Sequence, residues 1–299
     1  MNGWLSLSIF YAIAIAVVGG VMVHAGNVQA RRPETRSVFP DMFAWLDARD
    51  TYANTSSIAR FCREQPFATV ILVFAAAPSL AALVTAVFGT NEAGFAALLR
   101  RLAPWNDRSA GAAITTYAVI IAIFVAVAMV YLKVSARCPV EPTPPLLRER
   151  RVGRRWGRIF GGMFIDEGGM LEELGWRGFA LPVFVAAAGS LWWPTLVLGV
   201  AWWAWHIPRE VPALMHQPNW RRFATSQAQF VLLCVALSGL MTVAWHHTGS
   251  VWPAVMIHGG TNVWSKAIGA SMWERTGRDI RTYIVVGLAV IVVGAQLLV

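Results

Sequence analysis

Apolar residues in this chain run in long blocks, and most polar positions fall in short stretches between them. Crossing the hydrocarbon of a bilayer takes about 20 mostly apolar residues at a helical rise of about 1.5 Å each. Eight blocks meet that length, near 3–23, 66–88, 112–134, 159–188, 191–207, 225–246, 251–270 and 281–299. The predicted fold class is therefore all-α, a polytopic membrane helical bundle of about eight transmembrane helices. The fourth block is the longest and is interrupted by Pro182. The first block has no basic region before it and no A-x-A cleavage site after it, so a retained span is expected rather than a removed signal peptide. Residues 27–65 form the longest polar connection, and its stretch 42–48 is expected to lie on the membrane surface. Segment 137–158 is Pro-rich, then Arg-rich, with Leu146, Leu147 and Trp156, which suits an interfacial helix on anionic lipid. No internal repeat is evident, which counts against an inverted-repeat transporter.

The informative positions break the apolar pattern. Glu172, Glu173 and Arg177 lie in the fourth block, His206 ends the fifth, and His258 with Asn262 lies in the seventh. An ionisable group inside a bilayer costs at least about 2.5 kcal/mol even on mild insertion scales. Such groups persist when they pair, line a wet cavity or do chemistry. Helical spacing then sorts them. Glu173 and Arg177 are four apart, so they share a face and are expected to pair. Glu172 points about 100° away and faces a different partner. Trp202 with His206, and His258 with Asn262, repeat the four-residue spacing. Each span thus presents one polar stripe, and the stripes are expected to converge. Glycines, including Gly157 and Gly161, are expected at close helix crossings.

Composition supports the membrane reading. The chain is 57% hydrophobic and 14% charged, with a mean hydropathy of +0.53, where a soluble protein carries roughly a quarter charged residues. A net charge of +9 would suit nucleic acid, but no basic domain interleaved with aromatics supports that partner. Instead 21 of the 25 Lys and Arg fall in or beside the connections after spans one, three, five and seven, and three in the connection after span two. That bias places the odd connections in the cytoplasm and both termini outside. Cys62, Cys138 and Cys234 are widely spaced and imply neither a disulfide framework nor a thiolate metal site. Trp192, Trp193, Trp202, Trp203 and Trp205 mark the two interfaces of the fifth span.

Depth narrows the candidates further. His258 and Asn262 fall about 10–17 Å below the outer start of their span, and Glu172 about 20 Å from the cytoplasmic start of its own. His246 and His247 fall at an outer end and His216 in a cytoplasmic loop, so none of these three joins the site. Asp166 and Glu167 are expected to be solvated near the cytoplasmic face. A glutamate in a low-dielectric cavity can act as a base, and Glu172 with His206 would deprotonate a water to attack a peptide carbonyl. His258 and the Asn262 amide would donate to the oxyanion, a contribution of about 2.7–4 kcal/mol per donor. Alternatively Glu172, His206 and His258 form a His₂Glu set that would bind Zn²⁺. The residues alone leave both versions open. HExxH and G-x-S-x-G are both absent.

The pattern Glu172-Glu173-x-x-x-Arg177, Trp202-x-x-x-His206, His258-x-x-x-Asn262 resembles the CAAX-protease and bacteriocin-processing (CPBP) family of intramembrane endopeptidases. That family carries Glu-Glu-x-x-x-Arg, Phe-x-x-x-His and His-x-x-x-Asn in the same order, so Trp202 replaces its usual phenylalanine. The resemblance covers roughly 160–270. It divides the chain into three N-terminal spans (1–158), a protease-like core (159–270) and a C-terminal span (271–299). It implies a water activated by Glu172 and His206, an oxyanion site at His258 and Asn262, and a brace made by Glu173 and Arg177. The expected substrate is a membrane-tethered peptide of lipidated, CAAX-like type, and the expected location is a bacterial cytoplasmic membrane. The rival readings use the same residues without proteolysis: a proton-coupled transporter, or a scaffold or immunity-type protein. Residue by residue, the plainer alternatives are a packing ion pair at Glu173 and Arg177, a headgroup-facing His206, and interhelical hydrogen bonding by His258 and Asn262.

Overall fold

The computed structural model describes residues 2–31, 45, 55–106, 108–137, 152–216, 219–268 and 280–297. Most of the 27–65 connection, Cys138 with most of the Pro- and Arg-rich stretch, and the His216 side chain lie outside the described residues. Every regular element among the described residues is helical. We label the main ones α1 (Gly3–Arg31), α2 (Thr55–Glu64), α3 (Thr69–Phe88), α4 (Phe95–Arg100), α5 (Ala110–Arg137), α6 (Val152–Ile165), α7 (Glu167–Gly175), α8 (Leu181–Ala188), α9 (Trp192–His216), α10 (Trp220–Thr248), α11 (Trp252–Ile268) and α12 (Ile280–Leu297). A π-turn over Trp176–Ala180 joins α7 to α8.

All eight apolar blocks are helical. Four helical stretches are long and apolar enough to cross a membrane: Gly3–Asn27, Thr69–Phe88, Ala110–Val127 and Trp220–Thr248. Of the remaining blocks, three carry the polar residues of interest, and the last contributes a shorter apolar helix, Ile284–Gln296. Large apolar side chains such as Ile15, Phe88, Ile114, Leu232 and Ile291 face outward. A water-soluble surface avoids large contiguous patches of this kind, and a lipid-facing one requires them.

The polar-bearing segment occupies the centre. Helix α3 packs on both α1 and α7, α11 packs on α6 and α7, and α9 and α12 flank α10. Residues Trp176 through Phe184 are all buried. Phe10 of α1 stacks on Phe179 with ring centroids 5.4 Å apart and meets Trp176 edge-on at 5.6 Å. Glycine permits the tightest crossings. A Cβ at Gly175 would lie 2.3 Å from the Pro78 carbonyl carbon, and one at Gly259 would lie 2.3 Å from the Met163 oxygen. Gly157 and Gly161 do not take this role: among the described residues nothing lies within 4 Å of a Cβ built at either.

The break in the fourth block also differs from expectation. The chain leaves helix at Asp166, whose extended backbone (φ −62°, ψ 135°) starts α7, and passes through Pro182 without stopping. Pro182 sits in the first turn of α8, where the absent N–H is tolerated. It cannot serve the carbonyl four residues back, that of Gly178. Arg101 takes that carbonyl instead, donating from Nη1 at 2.9 Å, and also pairs with the Glu92 carboxylate. Burial disfavours the charged guanidinium and pulls its pKa down, while Glu92 opposes the shift. The same segment clasps the α10–α11 turn: Trp252 Nε1 donates to the Leu102 carbonyl at 2.7 Å, and Ser250 Oγ to that of Ala103 at 2.6 Å.

Candidate active site

Three helices bring the six expected residues together. Glu172, Glu173 and Arg177 come from α7 and the π-turn, His206 from α9, and His258 and Asn262 from α11. Glu172, Glu173, Arg177, His206 and His258 are each no more than 5% exposed.

The two adjacent glutamates part company as the helical angle predicts. Glu173 accepts from Arg177 Nη1 at both carboxylate oxygens, each at 2.9 Å. Arg177 Nη2 donates to Ser238 Oγ of α10 at 2.7 Å, and its guanidinium lies 4.5 Å from the Trp202 ring. Glu172 faces α9, where Trp202 Nε1 donates to its Oε2 at 2.8 Å and His206 Nε2 stands 4.0 Å from its Oε1. His206 Nδ1 lies 2.8 Å from the Trp202 carbonyl. A carbonyl only accepts, so that nitrogen carries a proton, and Nε2 is the nitrogen that faces Glu172.

Glu173 does more than brace its own helix. His258 Nδ1 lies 2.7 Å from Glu173 Oε1, so one carboxylate serves Arg177 and His258 together. The other ring nitrogen, Nε2, abuts the start of α7. A Cβ at Gly168 would lie 2.6 Å from His258 Nε2 and 3.3 Å from Asn262 Nδ2, so both donors flank one point that only glycine leaves open. Trp202 ties the halves together, meeting the His258 ring at 4.9 Å and the His206 ring at 5.8 Å, both edge-on.

Asp166 corrects a sequence expectation. It is fully buried rather than solvated, caps α7 by accepting from Gly169 N–H at 3.1 Å, and accepts from Asn262 Nδ2 at 2.8 Å. The usable signal was an N-cap residue directly before an apolar helical run. Trp202, expected to mark a membrane interface and to replace the family's phenylalanine, is buried at the site, and its N–H contact with Glu172 follows from tertiary placement.

The zinc alternative would use Glu172, His206 and His258 as ligands. Among the described residues no three His, Cys, Asp or Glu side chains gather as a metal-holding group. His258 directs Nδ1 at Glu173, and Trp202 covers one oxygen of Glu172. The excluded histidines stay apart: His246 is exposed at the end of α10, and His247 lines a separate apolar cavity of about 510 Å³ between α5, α10, α11 and α12. That cavity meets α11 at Ile257 and Thr261, on the face beside the one that carries His258 and Asn262.

Residues 156–264 match the family model described as type II CAAX prenyl endopeptidase Rce1-like. The matched stretch contains all six site residues and supports the resemblance to the CPBP intramembrane proteases. Comparison with curated proteins and with solved structures gives no match.

Proposed function

We propose that the chain is an integral membrane endopeptidase that hydrolyses a peptide bond of a membrane-tethered substrate. The observation that carries this reading is the split of the paired glutamates: Glu173 is engaged by Arg177 and His258, while Glu172 turns Oε1 toward His206 Nε2. A 4.0 Å gap is too long for a direct hydrogen bond, and one water can bond both sides of it. In this reading Glu172 Oε1 takes a proton from that water as its oxygen bonds to the substrate carbonyl carbon. The carbonyl oxygen takes up the negative charge and is met by Asn262 Nδ2 and His258 Nε2. For Nε2 to donate while Nδ1 is bonded to Glu173, the ring must carry both protons, and Glu173 supplies the counter-charge. The tetrahedral intermediate collapses, the C–N bond breaks, and Glu172 returns its proton to the departing amine. No step is routed through a metal.

Trp202 is the chain's departure from the family pattern, and it adds a donor that phenylalanine lacks. Its N–H fixes one oxygen of Glu172 and leaves the other toward His206. The matched family's name points to prenylated CAAX tails as the substrate class. The interrupted and polar helices, α6 through α8, α9, α11 and α12, cross beside the four long apolar ones, giving eight spans with both termini outside.

The test is cleavage of farnesylated and unlipidated membrane-tethered peptides by purified protein in proteoliposomes, read by mass spectrometry. Glu172→Gln and His206→Ala are expected to lower kcat at least about 10²-fold each, the usual scale for losing a positioned acid or base. Equal products from wild type and Glu172→Gln sink the reading, as does no product from either peptide class. Proton flux abolished by Glu172→Gln without peptide cleavage would replace it with a transporter.

A further inference from the structure

Asp166 is a fully buried carboxylate to which the proposed chemistry assigns no task. Its place before α7 explains part of its presence, since an N-cap oxygen serves an exposed helix N–H and the helix dipole favours an anion there. Capping alone does not call for a charge. Serine or asparagine caps as well, and a buried carboxylate carries several kcal/mol of desolvation. The second bond is the informative one: Oδ2 accepts from Asn262 Nδ2 at 2.8 Å, across 96 positions of sequence.

We infer that Asp166 is a positioning residue that holds the Asn262 amide in the orientation needed for oxyanion donation, an inference that rests on the protease reading above. An asparagine amide turned over presents an oxygen where its nitrogen should be, and an oxygen would repel the developing negative charge. A carboxylate accepts and never donates once ionised, so Asp166 selects the nitrogen-facing orientation. It thereby fixes the Asn262 amide through one N–H. Nδ2 and His258 Nε2 both lie against Gly168, 3.3 Å and 2.6 Å from where its Cβ would be, which sets the two groups side by side. Asp166 also starts the helix that carries Glu172, so a single carboxylate registers the base on α7 against the oxyanion donors on α11.

The discriminating substitution is Asp166→Ser. Serine keeps a capping oxygen for Gly169 N–H, but that oxygen sits one bond closer to the backbone and falls short of Asn262. In proteoliposomes Asp166→Ser is expected to lower kcat roughly 10–100-fold, the scale of a misplaced catalytic group, with KM changed less than about threefold. Its thermal midpoint should stay within a few degrees of wild type. Asp166→Asn, which returns an acceptor oxygen at full length, should recover most of kcat. The double variant Asp166→Ser/Asn262→Ala should be no slower than Asn262→Ala alone, because the first change acts through the second residue. Losses that multiply overturn the inference, as does an Asp166→Ser enzyme with wild-type kcat. Wild-type protein that cleaves nothing brings down the protease reading and this inference together, whereas active wild type with multiplying losses brings down the inference alone.

Discussion

A tryptophan ring beside two histidines and a guanidinium could be mere packing, but its N–H on Glu172 makes it chemically specific. Trp202→Phe keeps the ring against Arg177 and His258 and removes only the donor. A hydrogen bond to a charged group contributes about 1.5–3 kcal/mol. The variant should therefore lose roughly 10–100-fold in kcat on the tethered peptide while its thermal midpoint moves little, and an unchanged kcat would mean that Glu172 needs no such anchor. Gly168→Ala tests the other wall of the site. Its methyl would come within 2.6 Å of His258 Nε2, so activity should fall on the order of 10²-fold. The accompanying stability loss should stay near the roughly 1–3 kcal/mol of a small overpacking change, measured by thermal unfolding in the same detergent. At this scale the sequence was legible wherever partners lie one helical turn apart, as in Glu173 with Arg177. The contacts from Glu173 to His258 and from Asp166 to Asn262 span 85 and 96 positions, and no local periodicity encodes them.

Helix α2 and the start of α3 show what an element gains from a small separate core. Ile58, Phe61, Cys62, Ala68 and Ile71 bury one another although α2 has only ten residues. An isolated helix of that length is marginal, so its order comes from this docking. Burial pushes the Cys62 thiol pKa upward, so at a given pH less of it is thiolate, the reactive form. Iodoacetamide at pH 8 should modify Cys62 at least roughly tenfold more slowly in the native protein than after denaturation, followed by peptide mass spectrometry; equal rates would mean that α2 is undocked. The apolar blocks were readable from hydropathy and are helical over nearly all their described residues, whereas α2 and α4 lie between blocks and had no hydropathy signal. The break within the fourth block was misplaced because a proline was weighed more heavily than an aspartate. Proline in a helix's first turn forfeits little, and the stop is set by the carboxylate that caps the next helix.

For the molecule as a whole, charge distribution and outward-facing apolar side chains describe one object from two directions. Lys and Arg concentrate in alternate connections, and large aliphatic residues such as Ile15, Val87 and Ile291 face away from the packed interior. In the proposed eight-span topology Ser109 would lie on the outer side and Asn219 on the cytoplasmic side. Single cysteines at Ser109 and Asn219, in a background lacking the native cysteines, should react with a membrane-impermeant maleimide from outside and only after permeabilisation, respectively. The reverse pattern would invert the orientation, and equal labelling from one side would change the span count.

The π-turn at Trp176–Ala180 has a further consequence for how this chain tolerates length changes. A π-turn behaves as one residue inserted into an α-helix, where Leu181 N–H reaches the Trp176 carbonyl five positions back. The insertion resets the phase of everything after it by about 100°. Upstream, Glu172, Glu173 and Arg177 face the site; downstream, Phe184 meets Trp4 of α1 edge-on at 5.4 Å. Both orientations hold only with the extra residue in place. Removing Phe179 outright should thus be far more damaging than replacing it with leucine, because the deletion dials α8 around its own axis while the substitution trims one ring. Arg177 apart, the count of residues in this segment matters more than their identity, and deletions would trace the phase boundary one position at a time.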